Sequence, residues 1–518
     1  MAQALANFAV LCAALLFPHP LAAQQDGKEL MQAIERATDG YDVADQSKAF
    51  ADVAGVEAME ARIEIFDKKL EIKGGPNLRD WLYSGMIKAR NAEESEVIAE
   101  AAANKKSSDL LRLVSLRSLR RGKAKVEAKP LMAKSFSKAS PEVQREWQRT
   151  VGALLADDRL LFDGWKSGAE GVRKQLWQAG APYLGFAALG KLSQEEKEEV
   201  IAVALKSKDA GDLAQMIHVL AAADSGSYFH YSKIAAHGLR QESAGPRIAV
   251  VESAVANHIA QAVPLLINAL ERAESEAPGR YSADYAAALR AMTEQQFGSR
   301  AQSWKNWWQR DGKSWLDEQK SGLKAPRKLN ASAGHDQEED TVATMFGIPI
   351  DSNKVAIVID GSGSMNDQLD TRTCAAAAAD ELETFLAKLP KDGRIQLHII
   401  VRQGKRCFKS VVANTDKNCR KAVEFVRDFD YGAASSMYDV LIEAQQDEEI
   451  DTMLFISDGG GSWGSFAYAG HMLDGLAFAH QRSGVRIHAI CVGKSKTKQR
   501  FMRDLAEATG GKMKVASG

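Results

Sequence analysis

Cysteine is scarce in this chain. Five occur in 518 residues, and one of them, Cys12, lies in an N-terminal apolar run. The other four, Cys374, Cys407, Cys419 and Cys491, are too few for a disulfide-built scaffold in so long a chain. No C-x-x-C pair is present, which removes the usual zinc and thioredoxin signals. Cys407 and Cys419 are close enough in sequence to bridge a short loop in an oxidising compartment, or else to stay free thiols. An excess of one charge is also lacking. Lys and Arg number 67, Asp and Glu 68, and the formal net charge is -1. That gives no electrostatic case for nucleic acid, because phosphate binding needs a basic face. The basic stretch 117–125 reads as a solvated helix end or loop. The chain has no H-E-x-x-H and no G-x-x-x-x-G-K-[ST], so the common metalloprotease and P-loop signals are missing. The apolar run 8–17 falls short of the roughly 20 residues a membrane-spanning helix needs.

That run has the length of an export-signal core. Pro18 and Pro20 break it, and Ala22 and Ala23 offer a cleavage site just before Gln24 and Gln25. The segment preceding it lacks Lys and Arg, a departure from the usual signal pattern. Leu11 stands before Cys12 where lipoprotein processing wants a small residue. The expectation is a signal peptide at 1–23, an exported mature chain, and no membrane span in that chain.

The length calls for several domains, and the 45% hydrophobic and 26% charged content are ordinary for soluble globular protein. Residues 24–316 read as successive helices, with apolar residues at helical spacing at 28–37, 57–70, 94–103 and 195–206. The clearest unit is 246–272. Ile248, Val251, Ala254 and Val255 repeat along one helix. Ala262, Val263, Leu265, Leu266, Ala269 and Leu270 repeat along the next, which begins at Ala262-Val263-Pro264. This pair resembles a HEAT repeat, and the resemblance covers about residues 205–316. It implies an extended scaffold whose terminal units seal the core, with Trp304, Trp307 and Trp308 as cap packing. Residues 317–344, rich in Gly, Pro and charge, read as a linker; Asn330-Ala331-Ser332 within it matches a glycosylation sequon.

From 345 to 518 strands and helices alternate, the pattern of a mostly parallel sheet covered by helices. Strands are expected at 355–359, 395–401, 408–412, 452–456, 486–492 and 513–515. Helices are expected at 373–389, 417–428, 438–446, 468–483 and 498–509. Ligands of such sheets bind at the carboxyl ends of the strands. The first strand ends in Asp360-Gly361-Ser362-Gly363-Ser364-Met365, a D-x-S-x-S motif that can turn one carboxylate and two hydroxyls toward a hard divalent cation. Ser435-Ser436-Met437-Tyr438-Asp439 and Asp458, ending Leu454-Phe455-Ile456-Ser457-Asp458-Gly459, follow in later loops.

Together these loops resemble the metal-ion-dependent adhesion site of von Willebrand factor A (vWA) domains, over about residues 353–518. The leading segment 345–350 is similar to bacterial proteins that join HEAT repeats to such a domain. The resemblance implies that Asp360, Ser362 and Ser364 contact Mg²⁺ or Mn²⁺. It implies that Ser435 contacts the ion directly or through water, and Asp458 mostly through water. Ser435 stands where the family more often has threonine, which keeps the hydroxyl and loses a methyl that fixes the rotamer. In the family a Glu or Asp of a protein partner fills the vacant coordination position. Trp463 is then either an apolar contact on the partner-binding rim or a loop anchor. No catalysis is expected from this reading.

Two alternatives stay open. Gly460-Gly461-Ser462-Trp463-Gly464 spells G-x-S-x-G after a strand, so a serine hydrolase would use Ser462 with His480 or His488 as base. Against this, the strand ends several residues before Ser462, and little chain follows it. The third reading is a structural repeat protein whose vWA domain is metal-silent.

Overall fold

The computed structural model describes residues 50–67, 77–122, 126, 128–131, 136–157, 198, 201–202, 205–223, 228–276, 279–321 and 343–516. The expected signal peptide 1–23, the helix at 28–37, much of the helix at 195–206 and most of the linker, with its sequon, lie outside the described residues. The chain falls into two compact units, 1–175 and 176–518.

The first unit is helical: α1 (Val56–Asp67), α2 (Asn77–Ile87), α3 (Ala92–Ala103), α4 (Asp109–Arg121) and α5 (Pro141–Asp157). Side-chain caps set two of the starts. Asn91 accepts from Glu94 N at 2.8 Å before α3, and Ser108 from Leu111 N at 3.2 Å before α4, satisfying amides that a helix leaves open. The basic stretch that begins at Arg117 departs from its expected solvated placement. Arg117 is buried within α4 and pairs with Glu146 of α5 at 3.3 Å, and Arg120 reaches the same carboxylate at 3.0 Å. A buried carboxylate between two helices recruits arginines that composition alone assigns to the surface.

The second unit joins helices to an α/β sheet. Its helical part is α6 (Ala210–Ala223), α7 (Phe229–Gly238), α8 (Ala244–Ala256), α9 (Val263–Glu276), α10 (Arg280–Thr293) and α11 (Ala301–Ser321). The apolar repeats of the sequence bury here: Ile248, Val251, Ala254 and Val255 on α8, and Val263, Leu266 and Leu270 on α9. Trp304 is fully buried on α11, donates Nε1 to Gly298 O at 2.8 Å and meets Phe297 and Trp307 edge-on.

Past a two-stranded hairpin, β1 (Thr344–Met345) with β2 (Ile348–Pro349), lies the main sheet. Its elements are β3 (Lys354–Asp360), the small pair β4 (Gln368–Leu369) and β5 (Arg372–Thr373), α12 (Cys374–Lys388), β6 (Arg394–Ile400), β7 (Lys405–Arg406) and β8 (Val412–Ala413). Then come α13 (Asp416–Arg427), α14 (Met437–Gln445), β9 (Thr452–Ser457), α15 (Ala469–Ser483), β10 (Arg486–Cys491), α16 (Lys496–Ala508) and β11 (Met513–Val515). The strand order is β11-β10-β9-β3-β6-β7, with β8 also on β6. β3 runs parallel to both β6 and β9, and only β7 and β8 are antiparallel. The apolar strands β3, β9 and β10 are buried almost end to end, as sheets covered on both faces require. Of the strand expected at 408–412, only Val412 is extended, opening β8, which pairs with β6; 408–411 are a loop between β7 and β8. Cys407 and Phe408 are buried from that loop, so an apolar run there reports burial and not an extended strand.

The helical part packs directly on the sheet part. α6 and α8 both lie against α15. Gly245 and Gly484 allow the closest approach: a Cβ on Gly245 would overlap Arg482 O, and one on Gly484 (φ +66°) would stand 2.8 Å from Ala244 C. A buried ion network crosses the same seam. Asp284 of α10 accepts from Arg280 at 2.9 Å and from Arg486 of β10, which also reaches Asp351 at 3.2 Å. Arg280 Nη1 further donates to Asp451 O and, at 2.8 Å, to Gly484 O. Arg482 pairs with Asp209 and Asp212, each at 2.9 Å, and His480 meets Glu252 at 2.8 Å.

Candidate functional site

β3 comes first in the sheet; the chain then builds β6 on one side of it and β9 on the other. The strand order therefore reverses between β3 and β9, and the carboxyl ends of these two strands meet at the switch point where ligands of such sheets bind. Asp360 ends β3, and Asp458 follows β9 directly. Three loops meet there and are tied to one another by hydrogen bonds. The 360–366 loop accepts Gly432 N on Gly361 O at 3.1 Å, and Asn366 Nδ2 donates to Tyr431 O at 2.9 Å. The 431–436 loop is held to the third by Ser462 N and Trp463 N, which donate to Ser435 O at 3.1 and 3.0 Å, while Ser435 N donates to Ser462 Oγ at 3.0 Å. Ser457 Oγ links the third loop to the first, donating to Asp360 Oδ2 at 2.6 Å. Asp360, Ser362, Ser364, Ser435 and Asp458 all belong to this one cluster of loops.

The oxygens differ in how far they are engaged. Asp360 is fully buried, and its other oxygen accepts Ser362 N at 2.9 Å. Burial pushes its carboxyl above the ordinary range; the hydrogen bonds from Ser457 and Ser362 oppose this, and the nearby Asp458 charge adds to it. Ser362 Oγ and Ser364 Oγ stand 2.9 Å apart, side by side on the turn Ser362 opens. Ser435 is also fully buried, and its Oγ has no hydrogen-bond partner. Asp458 is engaged on both oxygens: Oδ1 accepts Gly460 N at 2.9 Å, and Oδ2 meets Lys498 Nζ at 2.6 Å.

Among the described residues no group of three or more His, Cys, Asp or Glu is placed to hold a metal ion. An ion bound by these loops would rest on two carboxylates and three hydroxyls. The orphaned Ser435 hydroxyl fits such an ion, since an unmet buried hydroxyl costs about 1–3 kcal/mol and a cation would meet it. All five oxygens suit Mg²⁺ or Mn²⁺, which prefer hard oxygen donors.

Trp463 is half-buried, with the exposed Arg402 guanidinium 3.9 Å from its ring centre. Sequence reasoning missed three neighbours of the site: Arg402, Ser457 and Lys498. Ser457 had a local signal, a hydroxyl just before the second aspartate. Lys498 had none, being 40 positions from its partner.

The groups of the hydrolase alternative have their bonds elsewhere. Ser462 Oγ accepts from Ser435 N, His480 bonds Val485 O and Glu252, and His488 Nδ1 accepts from Lys512 N at 3.1 Å. The cysteines left open by sequence are free thiols: Cys407 Sγ donates to Lys421 O and Cys419 Sγ to Asn414 Oδ1.

No protein-family model matches the chain, and no curated protein matches it. Several solved structures share a partial likeness. A von Willebrand factor type A protein from Catenulispora acidiphila matches at 16% identity over 33% of this chain and 40% of that chain, with a TM-score of 0.27. An aerotolerance-related membrane protein from Bacteroides fragilis matches at 14% over 31% of this chain and 89% of its own, TM-score 0.23. The Ro (RSR) protein of Deinococcus radiodurans matches at 13% over 94% of each chain, TM-score 0.22. The chain thus spans well under two thirds of the first of these. At such TM-scores none of the likenesses bears on function.

Proposed function

We propose that residues 345–518 form a vWA-type domain that binds one Mg²⁺ or Mn²⁺ at Asp360, Ser362, Ser364, Ser435 and Asp458. Through that ion it grips a Glu or Asp side chain of a protein partner. One observation carries this reading: a fully buried hydroxyl without a partner, Ser435 Oγ, in a loop hydrogen-bonded to both aspartate-bearing loops at the point of strand-order reversal. The ion supplies a positive charge that two carboxylates, one of them already paired, under-neutralise, so a partner carboxylate gains more from it than from a surface ion pair. Asp360 and the serine pair position it, and Arg402 on Trp463 lends the rim a second attraction for an acidic group.

The helices before the domain, with α8 and α9 as their clearest HEAT-like pair, act as its scaffold. The protein is exported and non-catalytic. Among the described residues no helix is long and apolar enough to cross a membrane. A second reading, a metal-silent domain, draws on one observation, the Lys498 ammonium already paired with Asp458.

Water-proton relaxation with Mn²⁺ tests the proposal. The expected result is one ion per chain, lost in Asp360→Ala, with inner-sphere water displaced by a glutamate-containing peptide. Equal Mn²⁺ binding by wild type and Asp360→Ala would remove the site from these loops.

A further inference from the structure

The loop after β10 is built to bring a cation onto Asp458. Lys498 sits in the first turn of α16, 40 residues from Asp458, and its Nζ lies 2.6 Å from Asp458 Oδ2. The pair is half sheltered, with Asp458 13% and Lys498 41% exposed at the side chain.

Three glycines clear the ground for it. A Cβ on Gly460 would stand 2.6 Å from Lys498 Nζ, and one on Gly459 would stand 2.7 Å from Lys498 O. A Cβ on Gly493 would stand 2.9 Å from Asp458 Cβ. Gln499 Nε2 holds the same loop down by donating to Gly493 O at 3.0 Å. A side chain at Gly459 or Gly493 would meet the Lys498 carbonyl or the Asp458 backbone and push the two segments apart, so the ion pair is a product of packing and not a chance meeting of two surface groups.

Resting on the metal-site reading above, we propose that Lys498 is a built-in counter-ion of the site, which holds Asp458 while no metal is bound and sets metal affinity by competing for it. An arriving divalent cation meets one carboxylate, Asp360, at full strength and a second whose charge is already neutralised. It must draw Asp458 from Lys498 and tolerate the ammonium nearby. The lysine therefore weakens metal binding. Once displaced, its ammonium stands beside the site as a second cation for the partner's acidic residues. Gly460 N, the other donor to Asp458, is neutral.

The test titrates Mg²⁺ and Mn²⁺ into the full chain by calorimetry, comparing wild type, Lys498→Gln, Lys498→Met and Lys498→Arg. Circular dichroism checks that each variant is folded. The neutral variants should bind metal at least about tenfold more tightly than wild type, and Lys498→Arg should stay close to wild type. The gain should vanish when Asp458→Asn is added to Lys498→Gln. In wild type, amine labelling of Lys498 read by mass spectrometry should speed up several-fold on adding Mg²⁺, a readout that needs no variant.

If wild type binds metal and the neutral variants bind no more tightly, the inference fails and the metal-site reading stands. If wild type is silent and Lys498→Gln binds, the lysine is a dominant block and the inference holds. If no variant binds metal, the metal-site reading fails and takes the inference with it.

Discussion

Removing the carboxylate of Asp284 is the sharpest perturbation of the seam between the helices and the sheet. Asp284 is 3% exposed and holds two guanidiniums, Arg280 at 2% and Arg486 at 5% exposure. In Asp284→Ala both arginines stay buried. Arg486 keeps Asp351 at 3.2 Å, and Arg280 keeps its hydrogen bonds to the carbonyls of Asp451 and Gly484, with the charges of Asp451 and Glu252 near it. Breaking a buried pair in this way costs about 3–5 kcal/mol, because Arg280 loses the one carboxylate it is hydrogen-bonded to. The mutant has no alternative acid on α10 within a turn of Asp284 to take over the role. Urea unfolding can be followed by tryptophan fluorescence, to which Trp304, Trp307, Trp308 and Trp315 of α11 and Trp463 beside the sheet contribute, and by circular dichroism. Both probes should shift to lower urea together, since α6 and α8 lean on α15. A triple variant, Arg280→Met, Asp284→Leu and Arg486→Met, should recover most of the loss, because well-packed apolar groups replace a buried ionic cluster at little cost. A loss under about 1 kcal/mol in Asp284→Ala would refute the reasoning, since it would mean that water reaches these arginines.

Three further outcomes are expected. Ser435→Ala should raise stability in EDTA, by up to about 1–3 kcal/mol, because it removes an unmet buried hydroxyl, yet weaken metal-dependent stabilisation; a clear loss in EDTA would show that Oγ is already bonded. Stability should fall as pH drops from 6.5 toward 4. Burial, with Arg406 nearby, pushes His398 from its ordinary 6.5 down to about 4, and burial pushes His488 to about 3. The unfolded chain takes up these protons first, so His398 alone accounts for roughly 3 kcal/mol across that window and nothing above it. His398→Asn should make the pH slope of the urea midpoint shallower there, and an unchanged slope would place the acid sensitivity elsewhere. Gly245→Ala should destabilise the seam by at least about 2 kcal/mol, as measured by urea unfolding, since its methyl overlaps Arg482 O; a neutral effect would mean the two backbones separate at no cost.

Much of the α/β part was legible in the sequence. The buried strands β3, β9 and β10 announce themselves as apolar runs, and each expected helix from α12 to α16 falls within a few residues of its place. Caps explain the precision at some boundaries: Thr373 accepts from Ala376 N and Thr415 from Asn418 N. The D-x-S-x-S turn pointed to the site because its chemistry is contiguous in sequence. What stayed hidden is long-range. Lys498 on Asp458, Arg486 on Asp284 and Arg117 on Glu146 are pairs between distant positions, and no local pattern marks either partner. The close contact of α8 with α15 also escaped, because nothing local in the sequence marks Gly245 and Gly484 as neighbours. The strand expected at 408–412, of which only Val412 is extended, shows the converse limit: apolar spacing reports burial, and a loop folded into the core gives the same pattern.

The most direct test of the proposed metal site is thermal unfolding of the chain in EDTA and in millimolar Mg²⁺ or Mn²⁺, with wild type, Asp360→Ala and Lys498→Gln side by side. An ion present at 100 times its dissociation constant stabilises the state that binds it by about 2.7 kcal/mol. The account predicts a metal-dependent rise of the transition in wild type, a larger rise in Lys498→Gln, and none in Asp360→Ala. No metal-dependent shift in either wild type or Lys498→Gln would contradict it.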